Sequence, residues 1–257
     1  MKIATILIAH FLILTGTSSS FSMSTPTESC SAASGAIRTP VIELYTSEGC
    51  SSCPPADKWL STLKAAPSTA ANPAPVVMAF HVGYWDHIGW VDRFASPAYT
   101  TRQRQIAVKN GQSGIYTPQA VLNGRDWKDW HRPSPLANAS KNPAGASINL
   151  KQTGVDQFEA LVVPVAGASS TWSAYWSVTE HGHSSKVKSG ENAGEFLQHD
   201  FVVRQYTPVG DYSADPKSPQ KLTWRSIAAT PGHARQINLV VFDAKTGKTL
   251  QAVSAGC

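Results

Sequence analysis

Two cysteines three positions apart, set between a strand-forming run and a helix-forming one, constrain this chain more than any other feature. Val41-Ile42-Glu43-Leu44-Tyr45-Thr46 is rich in strand formers, and Ser47-Glu48-Gly49 turns the chain directly after it. Cys50-Ser51-Ser52-Cys53-Pro54-Pro55 follows. Then Ala56, Trp59, Leu60 and Leu63 recur at i, i+3, i+4 and i+7, the buried stripe of a helix whose first turn suits proline. Cys50 is therefore expected at or just before a helix N-terminus.

That placement has chemical content. The thiolate is the reactive form of cysteine, and the free N–H groups and positive dipole end of a helix lower a thiol's pKa. A second cysteine one turn further along can resolve a mixed disulfide. Ser51 and Ser52 add hydroxyl donors, but neither His nor Lys stands between the cysteines. The other readings of the pair are a static disulfide and half a zinc site. A zinc site of this kind needs a second CXXC, which the sequence lacks. Strand, turn, CXXC and helix in that order favour redox chemistry.

These residues resemble the thioredoxin-like superfamily. The phrase Val41–Asp57 is similar, more narrowly, to a family of bacterial secreted proteins known as domain of unknown function 1223. Three further stretches fit that family: His81-Val82-Gly83-Tyr84-Trp85-Asp86 through Gly89-Trp90, Ser96–Gln103, and Gly190-Glu191-Asn192 with Val202-Val203-Arg204. The resemblance implies a thioredoxin-like α/β domain that needs no cofactor and exchanges disulfides with protein or peptide thiols and with a redox partner protein. Pro118 would be a cis-proline shielding the disulfide, and Thr117 would bind an extended substrate segment through its backbone. Glu43, the one acid in its strand, either relays a proton for Cys53 as an acid does in thioredoxins or lies on an exposed face. Trp85, with Asp86, His87, Trp90 and Asp92, either lines a substrate groove at the strand ends or caps the core.

Other segments read from their own residues. Val76–Val82 is an apolar run expected as a buried parallel strand. Ser96-Pro97 and Asn110-Gly111 bracket a helix. Gln119–Leu122 is a strand ending in the hairpin signal Asn123-Gly124. A last helix would fall near residues 126–144, but Pro133, Pro135 and Pro143 interrupt it. Beyond residue 145 helical periodicity fades, and short strand-like runs follow: Ser147–Lys151, Phe158–Val165, Trp172–Glu180, Phe201–Tyr206, Leu222–Ile227, Gln236–Phe242 and Thr249–Val253. Their number and spacing argue a β-sandwich that binds or packs rather than catalyses.

The expected organisation is thus a signal peptide over 1–23, a linker over 24–39, a thioredoxin-like domain over 40–144 and a β-sandwich-like domain over 145–257. The signal rests on Lys2, the apolar run Ile3–Leu14 and the small residues Thr17–Ser20, and places the mature chain in the periplasm or outside the cell, without a membrane span. With Cys50 and Cys53 paired, the remaining pair among four cysteines is Cys30–Cys257, a structural disulfide. A formal charge of +5, from 22 Lys+Arg against 17 Asp+Glu spread along the chain, gives no basic stripe for nucleic acid. His81, His87, His181, His183 and His199 are metal ligands in principle. His181-Gly182-His183 has no cysteine beside it and reads as solvated, so no metal is expected. No phosphate-binding Gly-Lys-Ser/Thr run or GxSxG elbow occurs, and Asn138-Ala139-Ser140 matches a glycosylation sequon.

Overall fold

The computed structural model describes residues 30–132 and 141–257. The expected signal segment, the start of the linker, Pro133, Pro135 and the Asn138-Ala139-Ser140 sequon lie outside the described residues. The strand-forming runs become β1 (Ser31–Ala33), β2 (Val41–Thr46), β3 (Val76–His81), β4 (Gln119–Leu122) and β5 (Arg125–Asp126) in the first half. The second half supplies β6 (Ala146–Gly154), β7 (Gln157–Pro164), β8 (Thr171–Glu180), β9 (His183–Lys186), β10 (Phe196–His199), β11 (Val202–Pro208), β12 (Tyr212–Ser213), β13 (Gln220–Arg225), β14 (Arg235–Asp243) and β15 (Thr249–Gly256). The α-helices are α1 (Pro54–Thr62) and α2 (Pro97–Lys109). Ser96 caps α2 by accepting the Ala98 N–H at 3.3 Å, ahead of the proline that opens the helix.

The largest sheet runs β15-β14-β8-β11-β3-β2-β4-β5, with β12 beside β8. Its two ends come from different halves of the sequence. They meet where β11 lies parallel to β3, Val202 opposite Ala79, with the Ala79 N–H donating to the Phe201 carbonyl at 2.8 Å. A second sheet, β1-β6-β7-β13, packs on one face and makes a sandwich, and β9 and β10 form a separate two-stranded ribbon.

Alternation along the strands divides the core into layers. Ile148, Phe158, Trp176 and Leu239 pack between the two large sheets. Ile42, Leu44, Val77 and Ala79 meet Ala56 and Leu60 of α1 on one face of the first-half strands. Val41, Tyr45 and Phe80 turn to the other face, where they join Tyr99 and Ile106 of α2 together with Tyr175, Val203 and Val240. That last layer contains side chains from both sides of residue 145 without interruption. The Asn123-Gly124 turn joins the halves as well. Both its residues have positive φ (51° and 79°), and a Cβ on Gly124 would collide with the Gly247 carbonyl.

The expected α/β thioredoxin-like domain followed by an all-β sandwich-like domain is therefore corrected. Strands make up 42% of the structure and helices 14%, arranged in large multi-strand sheets without that α/β pattern. The sandwich itself is present. Trp172–Glu180 illustrates the difference: Trp172, Ala174, Trp176 and Val178 alternate along the strand and face the sandwich core. Ser173, Tyr175, Ser177 and Thr179 are buried as well, because β8 lies between β14 and β11 inside the shared sheet.

Candidate functional site

Ser47-Glu48-Gly49 carries the chain from the end of β2 into the CXXC turn, where Cys50 and Cys53 form a disulfide with Cα atoms 5.4 Å apart. The Cys50 N–H donates to Ser47 and the Cys53 N–H to the Cys50 carbonyl, both at 3.1 Å, so the turn winds directly into α1. Cys53 is the N-cap residue, and Pro54 and Pro55 fill the first helical positions. Gly49 has no room for a side chain, since a Cβ there would lie 3.0 Å from the Trp85 Cβ. Both cysteines are buried, Cys50 at 1% exposure and Cys53 at 0%.

Beneath the turn, on the α1 face of the sheet, ionisable side chains from five segments converge. Asp57, one helical turn beyond Cys53, accepts a hydrogen bond from the Thr46 hydroxyl at 3.0 Å. His81, at the end of β3, pairs through Nδ1 with Asp92 at 2.7 Å, and Asp92 also accepts the Glu48 N–H at 2.9 Å. Glu48 in turn accepts from Trp90 Nε1 at 2.7 Å and bonds His199 Nε2, from the end of β10, at 3.2 Å. The His81 and His199 rings lie edge to face with centroids 4.9 Å apart. His81 Nε2 and His199 Nδ1 are buried without a hydrogen-bond partner among the described residues.

The environment separates these acids. Burial pushes the Asp57 carboxyl above its ordinary value, and His199, His81 and the Thr46 hydroxyl offset that only in part. Burial also opposes ionisation of Asp92 and Glu48, but the His81 partner of the one and the His199, Ser185 and Trp90 hydrogen bonds of the other hold both below the usual range. His81 is raised: burial disfavours its charge, and the Asp92 carboxylate outweighs that. One buried acid inclined to hold a proton thus sits among acids inclined to release theirs, the division of labour that proton transfer requires.

The other sequence candidates fall in two places. Trp85 Nε1 donates to the Thr117 hydroxyl at 2.7 Å, so the Thr117-Pro118 segment, whose peptide bond is cis, is tied to the CXXC turn through Trp85, whose Cβ and carbonyl abut Gly49. Glu43 lies elsewhere. It shares the α2 face with Val41 and Tyr45, where it accepts from Arg102 Nε at 2.9 Å, Tyr45 at 2.7 Å and Tyr175 at 2.8 Å. The sheet separates it from Cys53. Among the described residues no three His, Cys, Asp or Glu side chains are grouped to hold a metal ion. His183 bonds Glu180 at 2.9 Å, and His181 lies 3.5 Å from Asp200. Cys30 and Cys257 form the second disulfide.

Asp57, Glu48 and Asn192 escaped the sequence reading as functional residues. The available signals were the acid at position four of a helix opened by cysteine, and the unexplained Gly190-Glu191-Asn192 stretch. Asn192 Nδ2 donates to the Glu48 carbonyl at 2.8 Å and to the Cys50 carbonyl at 3.0 Å, and the Glu191 carboxylate accepts the Ser51 N–H at 3.0 Å.

The molecule is thus a β-rich protein carrying a buried CXXC disulfide at a helix start, backed by a histidine–carboxylate cluster. By its sequence it belongs to the family of proteins of unknown function designated DUF1223, whose profile matches residues 41–242. Two solved structures share the fold. A structural-genomics protein from Agrobacterium tumefaciens is 23% identical with a TM-score of 0.62, over 86% of this chain and 94% of its own. HBP35 of Porphyromonas gingivalis is 13% identical with a TM-score of 0.56, over 86% of this chain and 76% of its own. The comparison with curated proteins finds no match.

Proposed function

We propose that this protein is a thiol-disulfide oxidoreductase acting on protein or peptide thiols in the periplasm or outside the cell. A partner thiolate attacks Cys50 Sγ, the Cys50–Cys53 bond breaks, and Cys53 leaves with the electron pair as a thiolate that takes up a proton. A second partner thiolate then attacks its own sulfur in the mixed disulfide and releases Cys50. The partner dithiol is oxidised to a disulfide and Cys50–Cys53 is reduced to a dithiol; the reverse sequence reduces a partner disulfide. The reading is carried by Asp57, a buried acid inclined to hold a proton, one turn behind the leaving sulfur. The positive end of α1 further favours the Cys50 thiolate. The two disulfides suit an oxidising compartment, in keeping with the expected signal segment.

A second reading is a binding module in which Cys50–Cys53 is structural, and the burial of both cysteines favours it. The reduction potential separates the two. A structural bond lies below about −300 mV and an exchanging one above it. The oxidoreductase reading expects the higher value and, in cells, mixed disulfides trapped on Cys53→Ser; a potential below that range together with an empty trap sinks it.

A further inference from the structure

The connection between β9 and β10 lies about 140 residues from the CXXC turn in sequence, since Ser51 and Glu191 are separated by 140 positions. It nevertheless makes three hydrogen bonds to that turn: Asn192 Nδ2 spans the Glu48 and Cys50 carbonyls, and Glu191 holds the Ser51 N–H. The connection is a small structure of its own. The Gly194 N–H donates to Val187, the Val187 N–H to Glu195, and Gly190 and Gly194 adopt positive φ at either side of the contact residues. The Ser189 hydroxyl fastens it to the Gly89 carbonyl, next to the Trp90 that bonds Glu48. Asn192 is buried, although neighbouring Glu191 and Ala193 are exposed.

A disulfide is attacked along its S–S axis by a thiolate that must reach one sulfur, so a bond with both cysteines sealed exchanges only after something moves. We infer that Glu191 and Asn192 are positioning residues that hold the CXXC turn shut over the disulfide, so that a thiolate reaches Cys50 when this hold is released. The inference rests on the oxidoreductase reading for its purpose, though not for its test.

Dithiothreitol supplies that test, because it needs no partner surface: one thiolate attacks Cys50, Cys53 leaves, and the second thiol closes the reagent into its cyclic disulfide. The rate is measured by alkylation and mass spectrometry for both disulfides of the same molecule, with Cys30–Cys257 as the internal reference. Asn192→Asp keeps the side-chain shape but cannot donate, and Glu191→Gln removes the charge while keeping an acceptor. For Asn192→Asp the expected result is reduction of Cys50–Cys53 about tenfold faster at an unchanged Cys30–Cys257 rate, the effect of one to two lost hydrogen bonds. Glu191→Gln should accelerate the same bond less. Equal acceleration of both disulfides, or a Cys50–Cys53 rate within about twofold of wild type, less than one such bond is worth, overturns the inference. If Asn192→Asp opens the bond faster while wild type exchanges with no protein thiol, the hold stands and the oxidoreductase reading falls. If wild type exchanges while the variant reacts at the wild-type rate, the reverse holds.

Discussion

Asp57 shows how much of the chemistry depends on one residue's surroundings. Its carboxyl is raised by burial, so the folded chain binds that proton more tightly than the unfolded chain does. The stabilisation is complete below the ordinary aspartate value near pH 4 and is lost as pH rises through the raised value in the folded protein. Asp57→Asn should therefore remove this part of the pH dependence and leave the protein more stable at neutral pH, as read by urea unfolding from acid to neutral pH. It should also slow disulfide exchange on the order of 100-fold, the usual worth of a positioned proton donor or acceptor. A faster or unchanged exchange rate would remove Asp57 from the proposed mechanism. The Cys50–Cys53 disulfide was legible in the sequence because cysteines three positions apart ahead of a helix lie close enough to pair. Asp57 was not, since its carboxyl is raised by burial and only partly offset by His199 and His81, and neither the burial nor those distant partners can be read from an i, i+4 pattern.

Among elements, β2 shows how strand alternation leaves the surroundings of a residue open. Alternation puts Glu43 on the opposite side of the strand from Ile42 and Leu44, but it does not say which side α1 will cover. Here α1 takes the Ile42 side, and Glu43 becomes the pin between β2, α2 and β8. Arg102 stacks its guanidinium 4.0 Å from the Tyr175 ring while pairing with Glu43, so the carboxylate is neutralised in the middle of the core. Arg102→Leu strands that charge and should cost about 3–5 kcal/mol in chemical denaturation. Replacing Glu43 by Gln in the same background should recover part of the loss, because the unpaired charge is then gone. The strands of the second half were legible to within a few residues, since turn residues and apolar runs mark them. The short β9, β10 and β12 were not, because His183–Lys186, Phe196–His199 and Tyr212–Ser213 are too brief to announce themselves.

At the scale of the molecule, the sheet order was the part that sequence could not give. Which strand becomes the neighbour of β3 depends on contacts between residues more than a hundred positions apart, such as Ala79 with Val202. One consequence is cooperativity: with one core layer shared by both halves, denaturation should proceed in a single transition. The Cys30–Cys257 bond, spanning 227 residues, adds to this by limiting the unfolded chain. Replacing both cysteines with serine should lower stability by about 2–5 kcal/mol and leave the transition single. A change below experimental error in the urea midpoint would show that β1 and β15 are held by pairing and packing alone.

The same bond also gives the polypeptide the topology of a ring. From Cys30 to Cys257 the backbone and one S–S link form a closed covalent circuit, and the CXXC disulfide is a small loop tied within it. One cut in any exposed loop of that circuit opens the ring without dividing it, so a nicked molecule keeps both fragments until a reductant reaches the closure. In an environment rich in proteases, the fold can be cut once and still remain a single molecule.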